Sequence, residues 1–89
     1  MSTVELIRTA LSALEPSQLE IRDDSAQHAG HAGAKEGGHY AVRIVSSRFD
    51  GLSTMQRHRL VYDAIGDLGR QRIHALSITA KAPEEIRPI

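Results

Sequence analysis

Histidine is the residue type in this sequence with the widest chemical scope, because the chain has five histidines and no cysteine. His28 and His31 lie at H-x-x-H spacing in a stretch made mainly of alanine and glycine. Two neutral imidazoles at this spacing can converge on zinc, copper or iron. A closed zinc site needs four protein ligands, so this pair alone does not complete one. Solvent exposure is the commoner outcome for two loop histidines, and the spacing leaves both interpretations open.

The other three histidines fall on predicted secondary structure. His74 begins the last predicted strand, where it either packs half-buried or is directed off the end of the sheet and joins a metal site. His39 begins an earlier strand, and we favour a structural role for it over a ligand role. At about 100° per residue, His58 shares a helical stripe with apolar residues, which predicts a packed histidine. That stripe consists of Met55, Val61, Tyr62 and Ile65.

Arginine offers a second kind of chemistry, since its side chain contacts phosphates and guanine edges in nucleic acids. Arg57 and Arg59 flank the stripe of His58 and are predicted to be available to a partner. With other arginines they could build a modest basic surface, which nearby aspartates partly offset. An ordinary solvated face of mixed charge is the commoner outcome. The predicted nucleic-acid-binding set is Arg48, Arg57, Arg59, Arg70 and Arg72.

The composition narrows the possible classes of function. Eleven basic residues balance eleven acidic ones, whereas nucleic-acid binders are commonly basic, and two tyrosines with one phenylalanine give little material for base stacking. The lack of cysteine excludes disulfides, thiol catalysis and a self-contained thiolate metal site. The sequence has no nucleotide-binding loop after a strand and no nucleophile-elbow motif, so we expect a binding protein and not an enzyme.

The same survey predicts where the protein works. No apolar run approaches the roughly 20 residues that span a bilayer. The N-terminus also lacks a basic start, an apolar stretch and a small-residue cleavage site, which are the features of a secretory signal. We therefore expect a cytoplasmic protein that does not associate with membranes.

Capping signals and apolar spacing predict the helices. Ser2 and Glu5 have capping-box spacing ahead of an apolar stripe, and Ser53 with Gln56 repeats that spacing before a second helix. A turn or short extra helix over 66–72 and a final helical turn over 83–86 complete the helical prediction.

Alternating apolar and polar residues predict three strands, over about 19–22, 39–46 and 73–80. The stretch from about 26 to 38 lacks periodicity and predicts a mobile loop. A single domain over 1–89 in the order α-β-β-α-α-β-α follows. An α/β (α+β) architecture, with a three-stranded sheet and helices packed on one face, buries these stripes.

Several segments together resemble one known family, the BolA family, over nearly the whole chain. The segments are Asp23-Asp24-Ser25 followed by His28, Gly38-His39-Tyr40, Ile44-Val45-Ser46-Ser47-Arg48-Phe49-Asp50-Gly51-Leu52-Ser53, Arg57-His58-Arg59-Leu60-Val61-Tyr62 and Ile73-His74-Ala75-Leu76. They occur in the family's order with compatible spacing, which makes the resemblance far more specific than any single motif.

The resemblance implies a BolA-like fold, similar to the class II KH domain, and partnership with a monothiol glutaredoxin. In such complexes a 2Fe-2S cluster bridges the two proteins, with thiolates from the glutaredoxin and glutathione and imidazoles from the BolA-like chain. The family's C-terminal histidine falls on His74 and its loop ligand on His28, with His31 and His39 as alternates. Histidine replaces thiolate on one iron in Rieske centres, so the chemistry is consistent. We expect no stably bound cofactor in the chain alone, which should be a monomer or a weak homodimer.

The family is also described as a transcriptional regulator, and the resemblance implies that the segment around Arg57-His58-Arg59 with the following helix touches DNA. Two candidate functions are therefore expected, and they need not exclude each other. One is an adaptor in iron-sulfur trafficking or iron homeostasis, and the other is a DNA-binding regulator that uses the KH-like helical face.

Overall fold

A computed structural model describes residues 2–25, 38–67 and 72–86, and for His74 it describes the backbone alone. The elements of this structure are two α-helices, α1 (Thr3–Leu11) and α2 (Thr54–Ile65), and three strands, β1 (Gln18–Asp23), β2 (Gly38–Val45) and β3 (Ile73–Lys81). Short 3-10 helices lie at Ser12–Leu14, Ser47–Phe49 and Pro83–Glu85.

Both predicted helix starts are confirmed by hydrogen bonds. The Glu5 N–H donates to the Ser2 hydroxyl over 3.1 Å at the start of α1. At the start of α2 the Gln56 N–H donates to the Ser53 hydroxyl over 3.2 Å, and the Ser53 N–H donates back to the Gln56 side chain over 2.9 Å. These bonds satisfy backbone donors that have no partner within the helix, which is why the local sequence signal was sufficient.

The three strands form one mixed sheet with β2 at its centre. β1 pairs antiparallel with β2, and β3 pairs parallel with β2 on the other side. In this register Val42 faces Ile21 on one side and Ile78 on the other. A parallel pair needs a long crossover connection, and α2 lies within the one that leads from β2 to β3. The predicted α+β sheet is confirmed.

One face of this sheet carries the core. On β2 the side chains of Tyr40, Val42 and Ile44 are buried, whereas Ala41 and Arg43 on the opposite face are half-buried. Side chains from both helices pack against the buried face, which confirms that the helices lie on one side. The core consists of Ile7, Leu11, Leu14, Tyr40, Val42, Ile44, Phe49, Val61, Ile65 and Ala82.

The orientation of α2 differs from the prediction. Met55 and Tyr62 belong to the predicted packed stripe, yet they are 72% and 52% exposed. The buried arc of α2 is rotated by roughly 90° at the helical period, so that Leu60 and Ala64 pack against the core beside the buried residues. His58, which was predicted to be packed, lies half-buried at the border of this arc.

Two predicted segments fall largely outside the described residues. The predicted loop over 26–38 is described only at Gly38, which is the first residue of β2 and so extends that strand one residue beyond its prediction. The extra helix or turn over 66–72 is likewise undescribed at 68–71. Both predictions stay predictions. The final helical turn is confirmed as the 3-10 helix Pro83–Glu85.

Neither helix of the described part of the chain has the length and apolar character needed to cross a membrane.

A buried serine joins the end of β2 to the segment after α1. Ser46 is fully buried, and its hydroxyl donates to the Leu14 carbonyl over 2.6 Å while it accepts the Arg48 N–H over 3.1 Å. The Ser46 N–H in turn donates to the Lys81 carbonyl over 3.0 Å. Three parts of the chain therefore meet at this one residue.

Substitution Ser46→Ala should lower the free energy of unfolding by about 1–3 kcal/mol, because it leaves the Leu14 carbonyl without its donor in the interior. Urea denaturation followed by circular dichroism measures this change. The exposed neighbour Ser47 provides the control, since Ser47→Ala should stay within about 0.5 kcal/mol of the unsubstituted protein. Equal effects of the two substitutions would contradict the role given to the Ser46 hydroxyl.

Candidate functional site

A β-bulge places His74 at one end of the sheet. Gly38 of β2 pairs with Ile73 of β3, but the next residue, His39, pairs with Ala75, so His74 is an extra residue on β3. Bulges re-aim side chains and occur often beside functional sites. The regular alternation predicted for this strand is interrupted here, because Ile73 and Leu76 both pack against the core although they are three residues apart. Periodicity alone could not reveal the extra residue.

The described residues that flank the segment 26–37 lie at the same end of the sheet. The Asp24 N–H donates to the His39 carbonyl over 2.7 Å, and the His39 N–H donates to the Ser25 hydroxyl over 3.0 Å. The Ser25 N–H donates to the Asp23 carboxylate over 2.9 Å, which closes a local turn. Ser25, Gly38 and the backbone of His74 therefore lie at one edge of the fold, where β1 ends and β2 and β3 begin.

The predicted metal ligands are only partly described. His28 and His31 lie outside the described residues, and His74 is placed by its backbone alone. His39 is half-buried at the start of β2, where it engages other groups. Over residues 2–25, 38–67 and 72–86, no three histidine or carboxylate side chains form a group suited to a metal ion. The ligand assignment to His28 and His74, with His31 and His39 as alternates, stays a prediction.

The structure corrects the role predicted for Arg57. Its side chain is only 13% exposed and lies within the buried arc of α2. The guanidinium donates to the Leu52 carbonyl over 2.9 Å and to the Ala80 carbonyl over 3.1 Å, and it forms an ion pair with Glu85. The prediction that Arg57 is available to a partner is wrong. Helical spacing placed it beside the packed stripe, whereas two of its acceptors, Ala80 and Glu85, come from distant parts of the chain.

The rest of the predicted basic surface is weaker than expected. Arg48 is exposed but forms an ion pair with Glu15. Arg59 and Arg72 are exposed, and Arg70 lies outside the described residues. Within the described part of the chain, Arg59 and Arg72 are the cations of the predicted set that form no ion pair.

Glu85 receives both a backbone and a side-chain hydrogen bond. Its carboxylate accepts the Ala82 N–H over 2.7 Å and the Arg57 guanidinium. The bond from the Ala82 N–H and, after it, the bond from Arg57 lower the pKa of Glu85 below its ordinary value. The ionised form of Glu85 is thus the form that joins the C-terminal 3-10 helix to α2.

These features define a small α+β domain with a mixed three-stranded sheet and a histidine in the bulge of an edge strand. The family model described as "BolA-like protein" matches residues 11–85. The chain belongs to the BolA-like protein family, as the resemblance predicted.

Curated relatives agree with this assignment. BolA-like protein 1 of Mus musculus is 47% identical over 75 residues, which cover 84% of this chain and 53% of that protein. BolA-like protein 1 of Homo sapiens is 46% identical over 82 residues, covering 91% and 58%. SufE-like protein 1 of Arabidopsis thaliana, whose name places it in chloroplasts and mitochondria, is 46% identical over 79 residues, covering 82% and 21%. The chain thus spans little more than half the length of the two BolA-like relatives and about a fifth of the SufE-like one.

Solved structures show the same fold over almost the whole chain. The BolA domain of SufE1 from Arabidopsis thaliana has a TM-score of 0.84 at 47% identity, covering 97% of this chain and 98% of that one. BolA1 from the same plant has a TM-score of 0.83 at 39% identity, covering 98% and 99%. The predicted fold class is confirmed.

The lowered pKa of Glu85 predicts a specific dependence of stability on pH. A group with a depressed pKa in the folded state stabilises the fold above its unfolded pKa, and this contribution is lost as pH falls through the folded pKa. The free energy of unfolding should therefore fall as pH drops below the ordinary value of 4.5, and Glu85→Gln should make that fall shallower.

Urea unfolding at a series of pH values measures this effect. The matched control is Glu84→Gln, which changes an exposed neighbour and should leave the slope as it is. If the slope of Glu85→Gln equalled that of the unsubstituted protein, another carboxylate would account for the loss of stability in acid.

Proposed function

We propose that this chain is a non-enzymatic adaptor that binds a monothiol glutaredoxin and supplies histidine ligands to a bridged 2Fe-2S cluster. The observation that carries the proposal is the bulge in β3, which puts His74 at the same end of the sheet as Ser25 and Gly38. Those two residues flank the segment that contains His28 and His31. Two histidine-bearing parts of the chain thus start from one edge of the fold.

Chain geometry supports His28 as the loop ligand. Three residues of fully extended chain reach at most about 11 Å, and His28 is three residues beyond Ser25. Ser25 is itself held to the start of β2 by the hydrogen bond from His39. His31 is the first alternate. His39 is the second, although its backbone is already tied to Asp24 and Ser25.

The donor set fits one half of a cluster site. Imidazole binds iron in Rieske centres, where two histidines replace two cysteines on one iron. This chain has no cysteine, and its described residues contain no group of three metal-binding side chains. The remaining thiolate ligands would come from the glutaredoxin and from glutathione. The cluster would be the group that carries iron and sulfide between proteins, and the chain's own part is to bind the partner and present imidazoles.

The relatives support this proposal at the level of family. One of them is named SufE-like, and the part of it that matches is its BolA domain. We place the adaptor in iron-sulfur trafficking or iron homeostasis and keep the cytoplasm as its proposed compartment. Two plant relatives carry chloroplastic or mitochondrial in their names, so the compartment differs within the family.

DNA binding by the helical face is the second candidate. The observation in its favour is that Arg59 and Tyr62 are both exposed on α2, three residues apart and so on one face. Against it, Arg57 is enclosed and Arg48 is paired with Glu15. With a balanced overall charge, the chain retains few cations for phosphate contacts.

A titration with a cluster-loaded monothiol glutaredoxin and glutathione tests the first candidate. Adding the chain should form a heteromeric complex on a sizing column and change the visible circular dichroism of the cluster, because imidazoles replace thiolates on one iron. His74→Ala should abolish the spectral change and keep the far-ultraviolet spectrum of the folded chain. His58→Gln is the matched control and should behave like the unsubstituted protein, since His58 lies on α2.

Two results would count against this candidate. Unchanged spectra together with no complex would rule out the adaptor. A His74→Ala chain that behaves like the unsubstituted protein would show that His74 is structural.

Titration of duplex DNA at several salt concentrations tests the second candidate. Each phosphate contact contributes about 0.9 to the slope of log K against log salt. If only Arg59, Arg70 and Arg72 contribute, the slope should be no steeper than about −3, and Arg59→Gln should reduce its magnitude by about 1. A much steeper slope, or a site-specific affinity unaffected by Arg59→Gln, would require a surface that these arginines do not form.

A further inference from the structure

The residues that flank the segment 26–37 are held together by a group of side-chain and backbone contacts, which we name the clasp: Asp23, Ser25, Gly38, His39 and Tyr40. We infer that Ser25 is a positioning residue, whose hydroxyl fixes where this segment leaves the fold relative to the His74 bulge. This inference rests on the proposed function, because the position of a loop imidazole matters only if the chain ligates a cluster.

The first part of the clasp is a relay of hydrogen bonds at the end of β1. The Asp23 carboxylate accepts the Ser25 N–H over 2.9 Å, which turns the chain away from the strand direction. The Ser25 hydroxyl then accepts the His39 N–H over 3.0 Å. The paired register of β1 and β2 ends with Asp23 opposite Tyr40. The Ser25 side chain therefore adds a hydrogen bond to β2 beyond the last residue of β1.

The second part of the clasp is a close approach at Gly38. A Cβ atom at Gly38 would lie 2.5 Å from both the ring and the hydroxyl of Tyr40 and 2.7 Å from the Ser25 hydroxyl. Only glycine leaves room for these two side chains to close over the start of β2. Tyr40 is itself a core residue, with 8% of its surface exposed, so its ring is fixed from within.

The clasp also fixes the residues beside the bulge. Gly38 pairs with Ile73, and His39 pairs with Ala75. Ile73 and Ala75 are the two neighbours of His74 in sequence. Gly38 and His39 therefore contact both parts of the chain that carry histidines: Ser25, which precedes the segment with His28, and the residues on either side of His74. Ligand constellations need placement within about 0.5 Å, and residues that orient ligands typically change metal affinity by 10–100-fold when they are lost.

The isolated chain allows a direct test without a cluster. The sequence has no cysteine, so a nitroxide on Gln27→Cys is the single label, and its paramagnetic relaxation effect on the amides of Ile73 and Ala75 reports how closely the segment is held. Ser25→Ala should weaken this effect, and Ser25→Thr should restore it because the hydroxyl returns. Ser17→Ala is the matched control, since its hydroxyl contacts the Val45 carbonyl over 3.3 Å at the opposite end of the same strand pair.

The complex provides the functional measurement. With the glutaredoxin-bridged cluster, Ser25→Ala should alter the visible circular dichroism and shorten the lifetime of the cluster about 10-fold, while complex formation persists. Ser25→Thr and Ser17→Ala should match the unsubstituted chain.

The outcomes separate the two proposals. A Ser25→Ala chain with the original relaxation effect overturns the positioning role, and so does an unchanged cluster spectrum and lifetime when His74→Ala abolishes the signal. If the unsubstituted chain binds no glutaredoxin, the proposed function fails, and the relaxation measurement still decides whether Ser25 holds the segment.

Discussion

The pairing of β2 with both of its neighbours is the interaction on which the rest of the structure depends. β2 is the only described strand with partners on two sides, and its Tyr40, Val42 and Ile44 side chains form the floor of the core. The antiparallel pairing with β1 brings Ser25 back to His39, and the parallel pairing with β3 brings His74 to the same end. Parallel strands need a crossover connection between them, and α2 lies in the crossover from β2 to β3. This helix packs on the buried face of the sheet.

Arg57 shows how this arrangement uses a charged residue inside the fold. The Ala80 carbonyl belongs to β3, which is an edge strand, and the Arg57 guanidinium provides it with a donor. The same guanidinium binds the Leu52 carbonyl before α2 and the Glu85 carboxylate after β3. Removal of one partner from a buried charge is costly, so Arg57 belongs to the folding of the domain and is withdrawn from partner binding. The DNA-binding hypothesis loses its central cation for a structural reason.

A structural feature could be predicted from the sequence when the contacts that determine it are close together along the chain. The capping residues Ser2 and Ser53 act on backbone groups three residues away, and alternation on β2 reflects its own two faces, so both were readable locally. The rotation of α2 that exposes Met55 was not readable, because it is set by acceptors on β3 and by the C-terminal 3-10 helix. The bulge at His74 was missed for a similar reason. It is a property of the register between two strands, and neither strand reveals it alone.

The candidate site follows the same division. The residue types, histidines without cysteine, were evident from the composition, and they favour a site that borrows its thiolates. What sequence reasoning omitted was the framework of non-ligating residues: a serine hydroxyl, a glycine that admits it, and a tyrosine ring fixed in the core. An imidazole on a short tether gains affinity when its position is restricted before binding. Under the proposed function, the specificity of this half-site would therefore come from how the sheet holds its ligands as much as from the ligands themselves.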